Sequence, residues 1–286
     1  MVRSWLNLES VAGSGPSGRV IKRDIEAAVA TPVAGAQRAP LQSLRVTGQA
    51  TPGPAQATTP TPGDFRDIPL TQIRKTIARR LAESIGPVPT YYLTAEFDVE
   101  RVSEMRSAMR DESRVSLNDI ILKAVATALT QHPEVNAHWL GDKIRVFNRV
   151  HLGMAVAVED GLITPVIFDA DQKGLGQIAA ESRDLAMRAR ARKLTPAEYT
   201  GATFSVSNLG MFGIDQFTAI INPPETGILA IGAAEAKPVV VDGSVVVRRR
   251  MRVTMSCDHR AIDGATGAKF LQTVRQLIEN PLLLVY

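Results

Sequence analysis

Residues 252–264 read RVTMSCDHRAIDG, and this stretch joins a strand-like run, a loop and the start of a helix-like run. Val253, Met255 and Cys257 alternate with polar residues, which is typical of a half-buried strand. Residues 265–279 have their apolar side chains at helical spacing. A loop held between two such elements presents its central residue, His259, to the surroundings.

His259 has the chemistry of a general base, because the pKa of histidine ordinarily lies near neutrality. Asp263 follows four residues later and can fix the loop or the imidazole. Gly264 permits a backbone conformation or a close approach that a Cβ would forbid. A lone His-x-x-x-Asp pattern more often marks a helix cap beside a surface histidine. The full Asp-His-Arg-x-x-Asp-Gly string is far more specific, and it favours a catalytic loop.

The composition indicates a soluble globular protein rather than a nucleic-acid-binding or membrane protein. Of 286 residues 22% are charged and 45% hydrophobic, and the net charge is +4. The basic runs at 188–193 and 248–250 carry no interleaved aromatic residues, so stacking on nucleic acid is not expected. No apolar run reaches the roughly 20 residues that cross a bilayer, and the N-terminus lacks the order of a signal peptide. We expect an internal compartment.

The single cysteine, Cys257, excludes an internal disulfide framework and a cysteine-based zinc site. It lies two residues before His259, which raises the alternative of a thiol nucleophile, but a small buried hydrophobic role is favoured. His132, His138 and His151 do not pair at metal-ligand spacing, so no metal site is expected.

The chain separates into three zones by composition. Residues 1–30 contain a turn-rich piece and a short amphipathic piece, too little to build a stable core alone. Residues 31–64 are rich in Ala, Pro, Thr and Gly, which predicts a mobile tether. Residues 65–286 form the expected globular domain.

The periodicity of residues 65–286 predicts mixed helices and strands. The order of these elements favours an α+β fold over a doubly wound parallel sheet. Helices are predicted at 73–85, 117–132, 175–192 and 265–279, and strands at 91–99, 151–158, 161–167, 202–207, 227–233, 239–247 and 252–257.

Residues 201–210, GATFSVSNLG, form a second informative stretch. Alternation along a strand puts Thr203, Ser205 and Ser207 on one face. Hydroxyls at the end of a strand can donate hydrogen bonds to a developing oxyanion. Small hydroxyl residues also suit an ordinary sheet surface, and the stretch alone does not decide between these readings.

These stretches together resemble the E2 acyltransferase family of 2-oxo-acid dehydrogenase complexes. The catalytic loop of the family is similar to residues 258–264, its serine strand to 201–210 and its opening helix to IRKTIARRL at 73–81. NLGMFG at 208–213 and AIINPP at 219–224 are most similar to the pyruvate-type members. Residues 11–24 resemble the C-terminal half of the peripheral-subunit-binding domain of the family.

The resemblance implies a mechanism of acyl transfer between dihydrolipoamide and coenzyme A. His259 would accept the thiol proton, Ser207 would donate to the tetrahedral oxyanion, and Asp263 would hold the loop through an arginine of the opening helix. Implied coenzyme A contacts fall on Arg106, Ser116, Ser207, Asn208, Gly232 and Ala233. Two further contact positions of the family carry Ala157 and Ala186 here, which lack polar side chains.

The resemblance also implies a fold like that of chloramphenicol acetyltransferase and trimers with active sites between subunits. These trimers would assemble into 24- or 60-subunit cores, with residues 281–286 buried between trimers or on their own domain. E1 and E3 components would bind through residues 1–30, and the lipoyl group would come from a domain outside this chain, which we expect to be a fragment. The compartment would be the bacterial cytoplasm or the mitochondrial matrix.

Three alternatives stay open at this point. The chain could be a non-catalytic scaffold that binds E3, although such proteins tend to lack the histidine found at His259. It could serve another 2-oxo acid, branched-chain or 2-oxoglutarate. It could also be an acyltransferase of the same fold with a different acceptor, which the N-terminal module and tether disfavour.

Overall fold

The computed structural model describes residues 12–16, 19–25, 65–109, 115–159 and 161–284. Contacts within the chain divide it into two units, Met1–Arg66 and Asp67–Tyr286. The predicted tether at 31–64 lies outside the described residues, and so does most of the predicted module at 1–30.

In the first unit, Asp24 organises the turn-rich piece. Its carboxylate accepts hydrogen bonds from the N–H of Ile21 (3.0 Å) and from the N–H and hydroxyl of Ser14 (2.8 and 2.6 Å). These bonds, with that of Ile21 the largest effect, hold the pKa of Asp24 below its usual value. Residues 22–25 are helical, so the carboxylate ties this turn of helix to the loop before it.

The second unit contains five described α-helices, three of which begin at a side-chain cap. Thr71 caps the first, Ser116 forms a reciprocal capping box with Asp119 at the third, and Asp263 caps the last. The helices are α1 (Gln72–Ile85), α2 (Glu100–Ala108), α3 (Leu117–Gln131), α4 (Leu175–Arg190) and α5 (Gly264–Glu279).

Ten strands are described in this unit, and most are short. They are β1 (Thr90–Asp98), β2 (Ala137–Trp139), β3 (Ile144–Val146), β4 (Leu152–Met154), β5 (Val156–Val158), β6 (Gly161–Ile163), β7 (Val166–Ile167), β8 (Phe204–Asn208), β9 (Gly227–Val241) and β10 (Ser244–Asp258).

Six strands form one mixed sheet in the order β1-β10-β9-β8-β4-β7. Strand β8 runs parallel to β4 and β9, and the other pairs are antiparallel. Hairpins β2-β3 and β5-β6 form two small separate sheets. The sheet and its covering helices confirm the predicted α+β fold.

The main core lies between one face of the six-stranded sheet and the helices. Helix α3 packs against α4 and α5, and α5 lies on β1. The rings of Phe204 in β8 and Phe270 in α5 meet at 5.6 Å. Both side chains are fully buried, together with Phe97, Ile120 and Leu229.

The other face of the sheet is more polar and is covered by a loop segment, residues 213–226. The side chain of Gln216 donates to the hydroxyl of Thr94 (3.2 Å), and the hydroxyl of Ser256 donates to the carbonyl oxygen of Ala219 (2.6 Å). The buried Thr254 hydroxyl lies 2.9 Å from that of Thr94. Hydrogen bonds therefore hold the segment on this face.

The predicted strand at 239–247 is divided in two. A two-residue turn at Asp242 and Gly243 interrupts it and joins β9 to β10 in a long hairpin. Both residues have positive φ, 49° and 79°, the conformation that a tight hairpin turn with the right-handed twist requires. The Asp-Gly pair was the available sequence signal.

Two other predicted strands, at 151–158 and 161–167, are each divided in two. Pro165 has no N–H to donate, and the chain leaves the β5-β6 hairpin before it and joins the main sheet after it. Helix α2 and the β2-β3 hairpin were not predicted. Among the described residues, no helix is both long and apolar enough to span a membrane.

The chain's last described element, the 3₁₀ turn Pro281–Leu284, has two buried and two exposed residues. Pro281 and Leu284 are buried against the domain, whereas Leu282 and Leu283 are 66% and 50% exposed. Two roles were expected for 281–286. Packing on its own domain is found for Pro281 and Leu284, and Leu282 and Leu283 are left on the surface.

Candidate active site

The loop between β10 and α5 holds His259. The carbonyl oxygen of Asp258 accepts from the N–H groups of Ala261 (3.1 Å) and Ile262 (2.9 Å), so the chain turns immediately after the strand. The N–H of His259 donates to the carbonyl oxygen of Pro89 at 3.1 Å and ties the loop to the residue before β1. His259 is exposed, so its imidazole is accessible to a ligand.

Asp263 fixes the start of α5. Its carboxylate accepts the N–H of Thr266 at 2.8 Å. The hydrogen bond from the backbone N–H of Thr266 has the largest effect on the pKa of Asp263 and holds it below its usual value. A hydrogen bond from the Thr266 side chain and the charge of His259 lower this pKa further. Among the described residues, no arginine of α1 pairs with Asp263, so the expected arginine partner is not found. Asp263 instead holds the loop as a helix cap.

Tyr91 packs against the imidazole of His259. The ring centroids are 4.8 Å apart and the rings are tilted by 56°. The Tyr91 hydroxyl donates to the carbonyl oxygen of Asp263 at 2.7 Å, and burial raises the pKa of Tyr91. Sequence reasoning missed this residue, because only the strand register that sets Tyr91 opposite Cys257 brings it to the loop.

Cys257 lies beneath the loop and is fully buried. Burial raises the pKa of its thiol to about 11, which disfavours the reactive thiolate. The predicted small buried role is confirmed.

Only one of the three hydroxyls predicted on the serine strand reaches a surface. Phe204 and Val206 enter the core, as the alternation predicts. Thr203 and Ser205 are also buried, at 0% and 1% exposure, whereas Ser207 is only half-buried. Ser207 is therefore the hydroxyl of this strand that a ligand can reach.

Several predicted coenzyme A contacts gather around the start of α3. The amide of Asn208 donates to the side-chain oxygen of Asn118 at 3.0 Å, in the first turn of the helix that Ser116 caps. Arg106 reaches the same region from α2 and donates to the carbonyl oxygen of Val115 at 3.0 Å. Asn118 was not predicted, because helical position alone does not show that it meets β8.

Gly232 and Ala233 are buried by the chain itself. A Cβ on Gly232 would collide with the backbone oxygen of Asp215, and the N–H of Ala233 donates to the carbonyl oxygen of Ile214 at 2.8 Å. The segment at 213–226 thus covers these two predicted contacts, which directly follow Ile231, the strand partner of Asn208.

The remaining histidines have structural partners. His132 caps the end of α3 and meets the Thr273 hydroxyl at 2.8 Å. His138 meets the carbonyl oxygen of Ala202 at 2.9 Å, and burial lowers its pKa. His151 accepts the N–H of Asp169 at 3.1 Å, an acidic residue that lies near it in space but 18 positions away in sequence.

The sheet register separates Ser207 from His259 within one chain. Ser207 pairs with Ala230, and Ala230 pairs with Thr254, five residues before His259. Two strand spacings put the two residues about 10 Å apart across the sheet, and the four residues of strand from Thr254 to Asp258 add about 14 Å along it before the loop with His259 begins. One chain therefore does not bring this serine and this histidine into one site.

Comparison with known proteins gives one family model, the catalytic domain of 2-oxoacid dehydrogenase acyltransferases, which matches residues 62–286. The chain is similar to acetyltransferase components of pyruvate dehydrogenase complexes. It is 45% identical to that of Schizosaccharomyces pombe, over 97% of this chain and 58% of that protein. It is 40% identical to that of Rickettsia felis, over 98% and 65%. The chain thus spans less than two thirds of these relatives.

Solved structures give the same result. Dihydrolipoamide acetyltransferase of Azotobacter vinelandii matches with a TM-score of 0.76 and 31% identity, over 80% of this chain and 100% of that one. That protein was investigated for the role of a serine, a histidine and an asparagine in its catalytic mechanism. The three residues are spaced like Ser207, His259 and Asp263, with an asparagine in place of the aspartate. The cubic core of a pyruvate dehydrogenase complex matches equally, with a TM-score of 0.76.

Proposed function

The chain belongs to the catalytic-domain family of 2-oxoacid dehydrogenase acyltransferases, and on that premise we propose that it moves an acetyl group between S-acetyldihydrolipoamide and coenzyme A. The observation that carries the proposal is the exposed His259, held on a capped loop against Tyr91. The choice of the acetyl group and of the pyruvate dehydrogenase complex rests on its relatives, which are acetyltransferase components of that complex.

His259 acts as the general base in this proposal. It takes the proton from the thiol of coenzyme A, and the sulfur attacks the thioester carbonyl carbon to form a tetrahedral intermediate. The carbon–sulfur bond to dihydrolipoamide then breaks, and the departing sulfur receives the proton from His259. General base catalysis of this kind contributes about 10²- to 10⁴-fold to the rate.

Ser207 stabilises the oxyanion of the intermediate with its hydroxyl. A single donor in an oxyanion hole contributes about 3–4 kcal/mol to transition-state stabilisation. Because Ser207 and His259 lie far apart in one chain, the site takes the serine from one copy and the histidine from another. We propose a homotrimer, the smallest closed ring that matches the family expectation, built further into a 24- or 60-subunit core.

Coenzyme A approaches from the side of α2 and α3. Arg106 is the natural partner of its phosphates, because a guanidinium offers a planar array of donors, and Ser116, Ser207 and Asn208 add polar contacts. Gly232 and Ala233, which follow the strand partner of Asn208, are further proposed contacts of coenzyme A. The lipoyl group arrives on a lysine of a lipoyl domain.

The proposed setting is the pyruvate dehydrogenase complex, in the bacterial cytoplasm or the mitochondrial matrix, since the relatives include both bacterial and mitochondrial proteins. E1 and E3 components are proposed partners of residues 1–30.

The His259→Ala variant tests the proposal. We expect it to lose about 10³-fold in acetyl transfer to coenzyme A, because the base is absent. The assembly, measured by light scattering, should persist. His151→Gln is the matched control, since His151 lies in another part of the sheet, and it should keep wild-type activity. Near-full activity of His259→Ala would contradict the proposal.

The acyl preference is tested separately, with succinyl and isobutyryl donors beside acetyl. Faster transfer from one of these two donors would reveal a different acyl preference.

A further inference from the structure

Arg260, the residue after His259, binds the residue before it. Its guanidinium forms a fork on the carboxylate of Asp258, with Nε 2.9 Å from Oδ1 and the terminal Nη2 2.7 Å from Oδ2. Asp258 is 1% exposed and the Arg260 side chain 29%, so the carboxylate of the pair is buried and leaving it unpaired is costly. The two flanks of His259 are therefore joined by side chains.

Arg260 also reaches beyond the loop. Its Nη1 lies 3.5 Å from the carbonyl oxygen of Pro87, two residues before the carbonyl that accepts the N–H of His259. The loop and the turn at 87–89 are thus connected through both the main chain of His259 and the side chain of Arg260.

Trp139 covers the guanidinium. The guanidinium carbon of Arg260 lies 4.6 Å from the centre of the Trp139 ring, within the range of a cation–π interaction. Trp139 ends β2, and its N–H donates to the carbonyl oxygen of Pro224 at 2.9 Å. The neighbouring His138 is fixed against Phe147, with ring centroids 4.5 Å apart. The aromatic face is therefore held by a part of the fold remote in sequence from the loop.

We propose that Trp139 is a positioning residue of the active site, which holds Arg260 in its fork on Asp258 and thereby fixes the backbone on both sides of His259. This inference rests on the proposed role of His259 as the base. In this proposal Trp139 acts through Arg260 and not through contact with substrate. Its effect is on the geometry of proton transfer, because small displacements of a catalytic group cost large factors in rate.

The Trp139→Leu variant should lower kcat about tenfold and leave the KM for coenzyme A near that of the wild type. The KM is expected to stay because the coenzyme A contacts, Arg106, Ser116 and Asn208, lie in another part of the fold. Trp139→Phe keeps an aromatic face for the cation and should restore most of the rate. Tyr199→Leu, which removes another partly exposed aromatic ring, is the matched control and should behave as the wild type.

Arg260→Gln alone leaves the buried Asp258 without its partner and can fail to fold, so the test of the arginine uses the double variant Asp258→Asn, Arg260→Gln. This neutral pair removes the cation that Trp139 covers. It should be slowed as Trp139→Leu is, and adding Trp139→Leu to it should cause little further loss, since both changes break one interaction. Arg275→Lys on α5 controls for loss of a surface guanidinium.

Hydrogen exchange supplies a readout that does not depend on activity. The peptide covering 258–262 should exchange its amide hydrogens faster in Trp139→Leu than in the wild type or Tyr199→Leu. An inactive wild type would overturn the proposed function, and the exchange rates would still decide the role of Trp139. Wild-type kcat together with wild-type exchange in Trp139→Leu, or additive losses in the triple variant, would overturn the positioning role.

Discussion

The surroundings of His259 come from segments that are far apart in sequence. Tyr91 supplies the ring beside the imidazole, the carbonyl of Pro89 accepts its N–H, and Asp263 caps the helix that follows. Each contact constrains a different degree of freedom, namely the ring, the main chain and the exit of the loop. The accessibility of the imidazole therefore does not imply that it is loosely held.

Replacement of Ser207 tests the proposed oxyanion contact. We expect Ser207→Ala to lower kcat about 10²- to 10³-fold, because one donor to the tetrahedral oxygen is lost. The KM for coenzyme A should change little, since the ground-state thioester gains less from that donor. Steady-state kinetics with acetyldihydrolipoamide measure both constants. Ser205→Ala, at the buried neighbour on the same strand face, is the control for a change in the strand itself.

Replacement of Asp263 distinguishes a helix cap from a charge partner. An asparagine side chain at this position would accept the same hydrogen bond from Thr266, so Asp263→Asn should keep both the thermal stability and most of the activity. Asp263→Ala lacks the acceptor and should lower the melting temperature. An Asp263→Asn variant as impaired as Asp263→Ala would instead show that the negative charge is needed.

Glu225 makes the stability of the chain depend on pH. It is 4% exposed, and burial raises its pKa to about 7, against smaller opposing effects of Ser205 and Asn222. The folded chain therefore holds this proton more tightly than the unfolded chain does. Stability from this group is fully present below the unfolded pKa, near 4.5, and is lost as the pH rises towards 7.

The variant Glu225→Gln should remove this pH-dependent decrease in the free energy of unfolding, which amounts to at most about 3 kcal/mol. Relative to the wild type, it should gain stability between pH 5 and pH 8 in guanidinium unfolding. Glu235→Gln, an exposed change on β9, is the control and should leave the pH dependence as it is. Parallel pH profiles for Glu225→Gln and the wild type would rule out Glu225 as the source.

At the scale of elements, the strongly periodic segments were predictable from the sequence. Helices α1, α3, α4 and α5 lie within about two residues of their predicted bounds, because each has a continuous apolar face or a capping residue. Helix α2 was missed since only Val102 is buried along it. The β2-β3 hairpin was missed because its strands are three residues long, and the sheet that it forms is held by tertiary contacts.

A substitution in the β9-β10 turn tests whether its backbone conformation requires glycine at position 243. Gly243 has a φ of +79°, so Gly243→Val should destabilise the hairpin by about 1–2 kcal/mol. The measurement is thermal or denaturant unfolding. Gly176→Ala, at an open position within α4 with no positive φ, is the control and should be neutral or slightly stabilising. Equal stability of Gly243→Val and the wild type would show that the turn can rearrange.

At the scale of the whole molecule, the sequence identified the candidate residues but not their arrangement. His259 and Ser207 stand out through their motifs, and the family resemblance assigned their roles. Their separation depends on the register of three strands, which no local pattern encodes. Trp139 and Asn118 were missed for the same reason, because each meets its partner only through the tertiary fold.

A mixing experiment tests whether the site is shared between chains. His259→Ala and Ser207→Ala chains, each nearly inactive alone, are unfolded together in equal amounts and reassembled. Random mixing gives an intact histidine and an intact serine at about a quarter of the sites, so about a quarter of the wild-type activity should return. Each variant reassembled alone is the control. A mixture no more active than its two components would place both residues in one chain.

The thiol of Cys257, the only one in the chain, is fully buried and has a pKa of about 11. A chromogenic disulfide such as Ellman's reagent reacts with exposed thiolates, so the folded protein should contribute almost no colour of its own. Free coenzyme A and dihydrolipoamide would then be the thiols that the reagent detects. Reaction progress could be sampled by quenched titration without masking the enzyme, and a slow rise in the blank would report unfolding of the sheet.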